Sequence, residues 1–218
     1  MSVPTTINNH ALDLTNGLTA PESSYLISKR VFDIALILFF APIIIPLMLM
    51  TALFIKLEEP SASIFFWQKR VGAQGKPFNM IKFRSMTTDS EKHGSQFAQA
   101  SDKRITRLGR FTRKMRIDEL PQLLNIIRGE MSLIGPRPEQ VLFVEEFAKT
   151  IPNYADRHHV LPGITGLAQV KQGYVDDASG TRTKLAYDLY YIENISFLMD
   201  IRIALQTLHT MATGFGAR

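Results

Sequence analysis

A long apolar segment without a charge is the most prominent pattern along the chain. Ile34 to Ile55 comprises 22 residues, of which 14 are Leu, Ile or Phe. A helix of this length extends about 33 Å, enough to cross a hydrocarbon core of about 30 Å, and its side chains favour membrane entry by about 6 kcal/mol. Pro42 and Pro46 interrupt the segment, and each removes a helical hydrogen bond. We therefore expect a membrane helix with a bend.

The residues that flank this segment leave its topology open. Lys29 and Arg30 precede it, and Lys56, Lys69 and Arg70 follow it. Basic residues gather on the cytoplasmic side of membrane proteins, so two basic flanks do not choose between a single span and a re-entrant helix that returns to its own side. A cleaved signal peptide fits poorly, because its apolar region is shorter and lies closer to the N-terminus.

Shorter patterns after the membrane segment predict a small mixed domain. Ser63–Arg70 and Phe78–Met86 are rich in aromatic and β-branched residues, with glycines and a proline between them, which is typical of a β-hairpin. Residues 87–102 are polar and predict a loop, and the pattern beyond them is helical. Apolar residues recur at helical spacing from Phe197 to Met211, on a face that either packs in the core or lies among lipid headgroups.

A basic segment follows the polar loop. Seven of the 14 residues from Lys103 to Arg116 are basic, and arginines recur at every third position with apolar residues nearby, which predicts an amphipathic helix. The arginines of this stripe are Arg104, Arg107, Arg110 and Arg113. A charged stripe is usually a solvated face. Next to a membrane segment it can also lie on anionic lipid, and we favour that interpretation, with the innermost arginines directed at a phosphate.

Two adjacent carboxylates, Asp118 and Glu119, follow the basic segment directly. Asp118 is suited to cap a helix with Glu119 and Pro121 in its first turn, which explains both acids without catalysis. The preceding arginines favour a second interpretation, because carboxylates beside arginines at a helix N-terminus are typical of phosphate and Mg²⁺ sites. Both acids are therefore candidate Mg²⁺ ligands.

Composition narrows the chemistry further. The 218-residue chain has no cysteine, which excludes disulfides, thiolate metal sites and a cysteine nucleophile. Its net charge of +5 suits anionic lipid, phosphate or nucleic acid. The pairs His158–His159 and Asp176–Asp177 are more typical of surface and turn residues than of a metal or nucleotide site. There is no Walker A or dinucleotide-binding motif, so ATPase or NAD chemistry is not expected.

Six ordered motifs occur between about Lys29 and Ala204. They are KRVFD before the membrane segment, KFRSM at Lys82–Met86, DELPQL at Asp118–Leu123, MSLIGPRP at Met131–Pro138, PGITGLAQV at Pro162–Val170 and YYIENISFLMDIRI at Tyr190–Ile203. With these motifs the chain resembles the monotopic phosphoglycosyl transferases, bacterial enzymes that begin polysaccharide and glycan assembly. Six strings in the family's order are a specific signal.

The resemblance implies a reaction and the residues that perform it. Members of this family transfer a sugar phosphate from a UDP-sugar to a polyprenyl phosphate such as undecaprenyl phosphate. Asp118 matches the nucleophile that attacks the β-phosphate, releases UMP and holds the sugar phosphate covalently. Glu119 matches its partner in acid–base chemistry or Mg²⁺ placement. The candidate phosphate- and substrate-binding residues are Arg113, Arg137, Lys82, Arg84 and Lys171.

Two positions depart from the family pattern. Lys171–Gly173 stands where many members have Asn-Gly-Arg, whose arginine is associated with the nucleotide. Lys171 or Arg182 is the candidate replacement for that arginine. Ala41 stands where a small polar residue usually precedes the membrane proline, and we expect Pro42 and Pro46 to keep the bend.

These patterns and the resemblance predict a predominantly helical α+β fold in three parts. They are a flexible leader (1–28), a re-entrant membrane helix (29–56), and a catalytic domain (57–218) on the cytosolic face of the bacterial inner membrane, with amphipathic interfacial helices around the active site. The expected partners are a UDP-sugar, undecaprenyl phosphate and the lipid bilayer, with Mg²⁺ as cofactor. Nucleic acid is not expected, and a homo-oligomer is compatible with the sequence.

Two other hypotheses stay open. A non-enzymatic membrane adaptor would bind anionic lipid through the basic helix and would not need Asp118. A protein with the same fold but without the activity would result if the altered segment Lys171–Gly173 no longer bound the nucleotide.

Overall fold

The sequence patterns form mostly helices, joined by short strands. A computed structural model describes residues 23–87, 102, 104–172 and 178–213. The helices are α1 (Ser23–Glu58), α2 (Arg107–Lys114), α3 (Gln122–Ile127), α4 (Val141–Thr150), α5 (Leu167–Gln172), α6 (Ala178–Glu193) and α7 (Phe197–Thr213). The strands are β1 (Phe65–Val71), β2 (Pro77–Phe83), β3 (Ser132–Ile134) and β4 (Gly163–Thr165). The predominantly helical α+β prediction is confirmed. Residues 1–22 of the predicted leader, 88–101 of the predicted loop, Gly173 and Asp176–Asp177 lie outside the described residues.

The predicted β-hairpin is present. β1 and β2 pair antiparallel from Phe65↔Phe83 to Val71↔Pro77. The turn contains Gly75 with φ 71°, a left-handed conformation that suits glycine. Asn125 then joins α3 to the free edge of β2, because its Oδ1 accepts from the backbone N–H of Ile81 at 3.0 Å and its Nδ2 donates to the carbonyl of Asn79 at 2.8 Å. An amide side chain thus replaces a strand partner and fixes the hairpin to the helix after the carboxylates.

Glycines allow close backbone contact at the ends of the parallel strands β3 and β4. A Cβ on Gly163 would lie 2.1 Å from the nitrogen of Gly135, and a Cβ on Gly166 would lie 2.2 Å from its oxygen. No side chain fits at those distances, so the two positions require glycine. The contact fixes the start of the segment that carries Arg137.

Two hydrophobic clusters hold these elements together. The larger cluster lies among α4, α5, α6, α7 and the strand β3, and Leu189, Tyr191 and Ile203 are each no more than 1% exposed. The smaller cluster packs Ile37 of α1 against Met80 of β2 and residues of α3 and β3. Through it, the apolar helix α1 is joined to the domain that contains the carboxylates.

The apolar helix α1 is longer than the predicted membrane helix. It begins at Ser23, so it includes Ser23–Ser28, which we expected in the leader, and Pro42 and Pro46 lie inside it. It is long and apolar enough to cross a membrane, by length and composition. Its buried residues follow a helical stripe along its length and are Lys29, Asp33, Ile37, Thr51 and Ile55. The re-entrant course of this helix stays a prediction.

Both ends of α1 contact the domain that follows it. Near the N-terminal end, Lys29 Nζ lies 2.6 Å from the Asp200 carboxylate on α7, and the pair is buried. At the C-terminal end, Glu58 accepts a hydrogen bond of 3.2 Å from the backbone N–H of Leu108 on α2. The two ends of the apolar helix are therefore bound to one folded unit.

The basic helix is shorter than predicted. The pattern predicts a helix over Lys103–Arg116, whereas α2 begins after the N-cap Thr106, whose side chain accepts a backbone hydrogen bond. Arg104 lies before the helix and pairs with Asp102 at 2.6 Å. Arg104 is therefore not part of a helical stripe.

The apolar face expected on the last helix is not in the core. Leu198, Leu205 and Leu208 of α7 are between 57% and 64% exposed, whereas Met199 and Ile203 on the other face are buried. The core interpretation of that apolar repeat is therefore wrong. Leu198, Leu205 and Leu208 form an exposed apolar face on α7.

Candidate active site

A short 3-10 turn, Ile117–Glu119, carries the two adjacent carboxylates. Arg116 before it has φ 57°, and Pro121 after it is the N-cap of α3, without a side-chain hydrogen bond. Asp118 therefore does not cap α3, and the capping interpretation is wrong. Both acids are buried, with Asp118 7% and Glu119 6% exposed. Buried carboxylates destabilise the fold unless cations or hydrogen bonds compensate them.

Three cations surround the Glu119 carboxylate. Arg137 binds both oxygens, with Nη2 2.5 Å from Oε1 and Nη1 3.4 Å from Oε2. Lys82 Nζ lies 3.3 Å and Arg116 Nη1 lies 4.0 Å from Oε1. Burial alone would raise the pKa of Glu119, but Arg137 and Lys82 outweigh it and hold the pKa well below its usual range. Glu119 is thus ionised and fixed.

Asp118 is in a different electrostatic state. Within the part of the chain that the structure describes, no hydrogen bond or ion pair engages its carboxylate. Burial and the neighbouring charge of Glu119 raise the pKa of Asp118, and Lys82, Arg113 and Arg137 oppose that rise. The Asp118 side chain is mostly buried and lies near cations, and its oxygens have no partner among the described residues.

Helix α2 packs against Ser85, two residues after the end of β2, and this contact positions Arg113. A Cβ on Gly109 would lie 2.0 Å from the carbonyl oxygen of Ser85, so only glycine allows this approach. One turn later, Arg113 Nε donates to Ser85 Oγ at 2.9 Å. Burial lowers the pKa of Arg113, and the nearby Asp118 carboxylate opposes the shift. Arg113 is therefore held within electrostatic reach of Asp118.

The backbone around Arg137 is fixed by two other arginines. Arg157 Nη2 donates to the carbonyl of Arg137 at 2.9 Å, and Arg70 Nη1 donates to the carbonyl of Pro138 at 3.0 Å. Arg157 is itself paired with Asp188 at 2.6 Å, and both side chains are 2% exposed. These contacts hold the guanidinium of Arg137 in position before a ligand binds.

Sequence reasoning missed Arg70, Arg157 and Asp188. Arg157 and Asp188 are 31 residues apart, and Arg70 lies 68 residues before the carbonyl that it binds. No local spacing signals such contacts. Only the fold brings these side chains to the segment around Arg137.

Comparison with known proteins decides the family. Residues 24–214 match the family described as bacterial sugar transferase. The chain belongs to that family. It is 51% identical over 202 residues to UDP-N-acetylgalactosamine-undecaprenyl-phosphate N-acetylgalactosaminephosphotransferase of Aeromonas hydrophila, covering 93% of this chain and 48% of the relative. The chain therefore spans about half the length of that relative.

Two further relatives cover more of their own length. The chain is 39% identical over 204 residues to UDP-glucose:undecaprenyl-phosphate glucose-1-phosphate transferase of Caulobacter vibrioides, covering 93% of this chain and 76% of the relative. It is 40% identical over 192 residues to exopolysaccharide production protein PSS of Rhizobium leguminosarum bv. phaseoli, covering 84% and 94%. Together with the long apolar helix α1, these similarities indicate that this bacterial sugar transferase is membrane-associated.

The structure brings together five of the site residues predicted from the sequence. They are Asp118, Glu119, Lys82, Arg113 and Arg137. Arg84 instead donates to the carbonyl and hydroxyl oxygens of Ser63 at 2.9 and 2.6 Å. Lys171 lies in the last turn of α5. Neither residue has a described contact with the carboxylates, and their role in substrate binding stays a prediction.

The donor set of the sugar transferase site allows a test of the expected Mg²⁺. The described residues include no group of three or more His, Cys, Asp or Glu that could hold a metal alone. Mg²⁺ needs only one or two carboxylates when substrate phosphates complete its shell. Asp118 has free oxygens, whereas Glu119 is already bound by Arg137. The residues fit an ion shared with a phosphate ligand, with Asp118 as its first protein ligand.

Proposed function

We propose that this protein transfers a sugar 1-phosphate from a UDP-sugar to undecaprenyl phosphate and releases UMP. The observation that carries the proposal is the contrast between two adjacent buried acids. Glu119 is bound by Arg137 and Lys82, whereas the Asp118 carboxylate is free of described partners and lies near the same cations. A free carboxylate beside fixed cations is suited to attack a phosphate. Family membership supports the donor and acceptor classes.

In the first step, Lys82, Arg113 and Arg137 neutralise charge on the diphosphate of the donor. A carboxylate oxygen of Asp118 attacks the β-phosphorus. The bond between that phosphorus and the bridging oxygen breaks, and the bridging oxygen leaves with UMP. The sugar phosphate stays on Asp118 as an acyl phosphate.

In the second step, a phosphate oxygen of undecaprenyl phosphate attacks the same phosphorus. The bond to Asp118 breaks, its carboxylate is restored, and the product is a sugar joined to undecaprenyl diphosphate. Neither step needs a proton from the protein, because both nucleophiles are anions. Glu119, with its lowered pKa, is therefore a positioning residue that holds Lys82 and Arg137, rather than a proton donor.

Mg²⁺, when bound by Asp118 and the phosphates of the donor, would add charge neutralisation at the diphosphate. Removal of divalent cations with EDTA is expected to reduce UMP release, and added Mg²⁺ is expected to restore it. Full activity after exhaustive chelation would remove Mg²⁺ from the proposal.

We also propose that α1 enters the membrane and returns, with the domain on the cytosolic face. The contacts of both α1 ends with one folded unit support this course, because a single span would place those ends on opposite sides. The exposed apolar face of α7 suits a position among lipid headgroups. The site would then lie at the level of the acceptor phosphate.

The decisive experiment separates the two steps. Purified protein is incubated with UDP-sugars labelled in the β-phosphate, first without and then with undecaprenyl phosphate. UDP-N-acetylgalactosamine and UDP-glucose come first in the panel, since these donors appear in the relatives' names. We expect protein-bound label and UMP without the acceptor, and labelled lipid with it. Asp118→Asn is expected to abolish both, and an Asp118→Asn protein with wild-type activity would overturn the proposal.

The same preparation tests the non-enzymatic adaptor. That hypothesis predicts salt-sensitive binding to anionic vesicles that depends on Arg104, Arg107 and Arg110 and is indifferent to Asp118. Vesicle binding without UMP release from any donor would favour the adaptor.

A further inference from the structure

Gln169, in the first turn of α5, lies beside the arginine that binds Glu119. Its Nε2 donates to the carbonyl of Ile164 at 3.1 Å. Arg137 Nη1 donates to the same carbonyl oxygen at 3.4 Å. Two donors on one oxygen place the Gln169 amide next to the Arg137 guanidinium, and so next to the carboxylate pair.

The other end of this amide has no partner. Gln169 Oε1 is buried and forms no hydrogen bond to the described residues. The bond from Nε2 to a carbonyl fixes the orientation of the amide, because a carbonyl can only accept. Oε1 is therefore a buried acceptor that lacks a donor, which is unusual in a folded protein and often marks a functional site.

Gly166 lies beside this oxygen and offers it no side-chain donor. A Cβ on Gly166 would lie 3.5 Å from Oε1 and 2.2 Å from the carbonyl oxygen of Gly135. Backbone contact between Gly166 and Gly135 thus excludes a side chain at Gly166. No described residue donates to Oε1, and a bound molecule is able to supply that donor.

We propose that Gln169 accepts a hydrogen bond from a hydroxyl or N–H group of the UDP-sugar and determines specificity among donors. This inference rests on the proposed function. The diphosphate offers no donor groups, so the bond must come from the sugar or the nucleoside. A site that satisfies a buried acceptor through one substrate group discriminates strongly against analogues that lack the group.

The test is a double-mutant cycle between the enzyme and the substrate. UMP release is measured as kcat/KM for wild type and Gln169→Met. The substrates are the preferred UDP-sugar, its single-deoxy sugar analogues, the deoxyribose analogues and the N3-methyluracil analogue. We expect one analogue to lower the wild-type kcat/KM about 10-fold or more. Gln169→Met should lower kcat/KM similarly for the parent donor and should no longer distinguish it from that analogue. The analogue that lowers the wild-type kcat/KM shows whether the hydrogen bond to Gln169 comes from the sugar or from the nucleoside.

A second variant isolates the acceptor oxygen. Gln169→Glu keeps an oxygen at the same distance but loses the donor to Ile164, so it should retain the discrimination that Gln169→Met loses. Gln206 on α7 is the control, because its Oε1 is also buried and unpartnered among the described residues. Gln206→Met should preserve the wild-type preference for the parent donor.

Failure of the inference about Gln169 can be told apart from failure of the proposed function. If wild type releases UMP but Gln169→Met keeps the full preference for the parent over every analogue, the role of Gln169 is wrong and the proposed function stands. Loss of discrimination in both Gln169 variants would assign the effect to the bond with Ile164 and also overturn the inference. If wild type releases UMP from no UDP-sugar, the proposed function itself fails.

Discussion

Asp118 and Glu119 are neighbours in the sequence, yet the fold gives them opposite electrostatic surroundings. Glu119 reaches Arg137, Lys82 and Arg116, which compensate its burial. Asp118 interacts electrostatically with Lys82 and Arg137 without an ion pair or hydrogen bond among the described residues. The negative charge of Glu119 disfavours ionisation of Asp118 and raises its pKa. The two consecutive carboxylates therefore differ in their partners, because cations bind Glu119 whereas Asp118 has no described partner.

A pH profile tests this electrostatic state. Because burial and Glu119 raise the pKa of Asp118, the ionised nucleophile is lost at a higher pH than for an ordinary aspartate. Arg113 opposes that rise, so Arg113→Ala should move the acidic limb of kcat/KM for UMP release to higher pH. Arg110→Ala, an exposed neighbour on α2, should leave the limb in place. A limb that stays or moves to lower pH in Arg113→Ala would contradict the assignment.

The two-pronged contact of the Arg137 guanidinium with Glu119 leads to a second prediction at the scale of single residues. A lysine keeps the charge but cannot bind both Glu119 oxygens and the Ile164 carbonyl together. Arg137→Lys should lower kcat/KM by roughly 10- to 100-fold, about 1.4 to 2.7 kcal/mol of transition-state stabilisation. Arg128→Lys, an exposed arginine at the end of α3, is the control and should stay within about twofold. Equal activity of the two variants would count against bidentate positioning.

Sequence motifs identified the candidate site residues, and the structure added residues that hold them in position. Lys82, Arg113 and Arg137 were found because each lies in or near a recognisable string. Gln169 also lies in such a string, but nothing in the string shows that its amide oxygen is unpartnered. A hydrogen-bond deficit is a property of three-dimensional packing, so it cannot be read from spacing.

At the scale of elements, the approach of α2 to the end of β2 depends on one glycine. Alanine in a helix interior is ordinarily more stable than glycine by about 1 kcal/mol. At Gly109 the added Cβ would lie 2.0 Å from the carbonyl oxygen of Ser85, so the helix must shift. Gly109→Ala should therefore destabilise the protein by about 1 to 3 kcal/mol and lower UMP release through displacement of Arg113. Arg110→Ala is the control in thermal unfolding, and a Gly109→Ala protein as stable as wild type would refute the close approach.

An ion-pair network joins the hairpin to α6. Burial alone would raise the pKa of Glu139, but Lys184, Arg157 and Arg70 outweigh it and lower the pKa to about 2. The folded-state pKa lies below the unfolded value of 4.5, so the network stabilises the fold above pH 4.5, and this contribution is lost as pH falls toward 2.

Glu139→Gln tests the network. The variant should be less stable than wild type by about 2 kcal/mol at neutral pH, and the difference should shrink between pH 4.5 and 2. Thermal unfolding in detergent at several pH values measures that difference. Glu145→Gln on α4 is the control, because no ion pair of Glu145 occurs among the described residues. A difference that does not depend on pH would show that Glu139 acts through packing alone.

Periodicity predicted helices more reliably than it predicted which of their faces is buried. The apolar repeat of α7 is helical, but Leu198, Leu205 and Leu208 are exposed. The residues that α7 contributes to the core are Met199 and Ile203. A hydrophobic stripe shows only that a face avoids water. Whether protein or lipid covers that face depends on neighbours that are distant in sequence.

At the scale of the whole molecule, α1 combines two properties. Its length and composition suit a membrane, and its polar ends are bound to the domain through Lys29–Asp200 and Glu58–Leu108. Asp33 adds a third contact, because its carboxylate accepts from Ser132 Oγ at 2.6 Å. A single span could not keep contacts at both ends with a domain on one side of the bilayer. Pro42 and Pro46 lie inside α1, and the bend that a returning helix needs at these residues stays a prediction.

Cysteine labelling tests this course directly, because the natural chain has no cysteine. Ser28→Cys lies on the exposed face of α1 before the apolar segment, and Lys76→Cys lies in the hairpin turn of the domain as the control. A membrane-impermeant maleimide should label both cysteines in inside-out vesicles and neither in intact spheroplasts, since a re-entrant helix keeps both on the cytosolic side. If Ser28→Cys is labelled only from the periplasm while Lys76→Cys is labelled only from the cytosol, α1 spans the bilayer. In that case the contacts of its N-terminal turns with α7 and β3 cannot exist in the membrane.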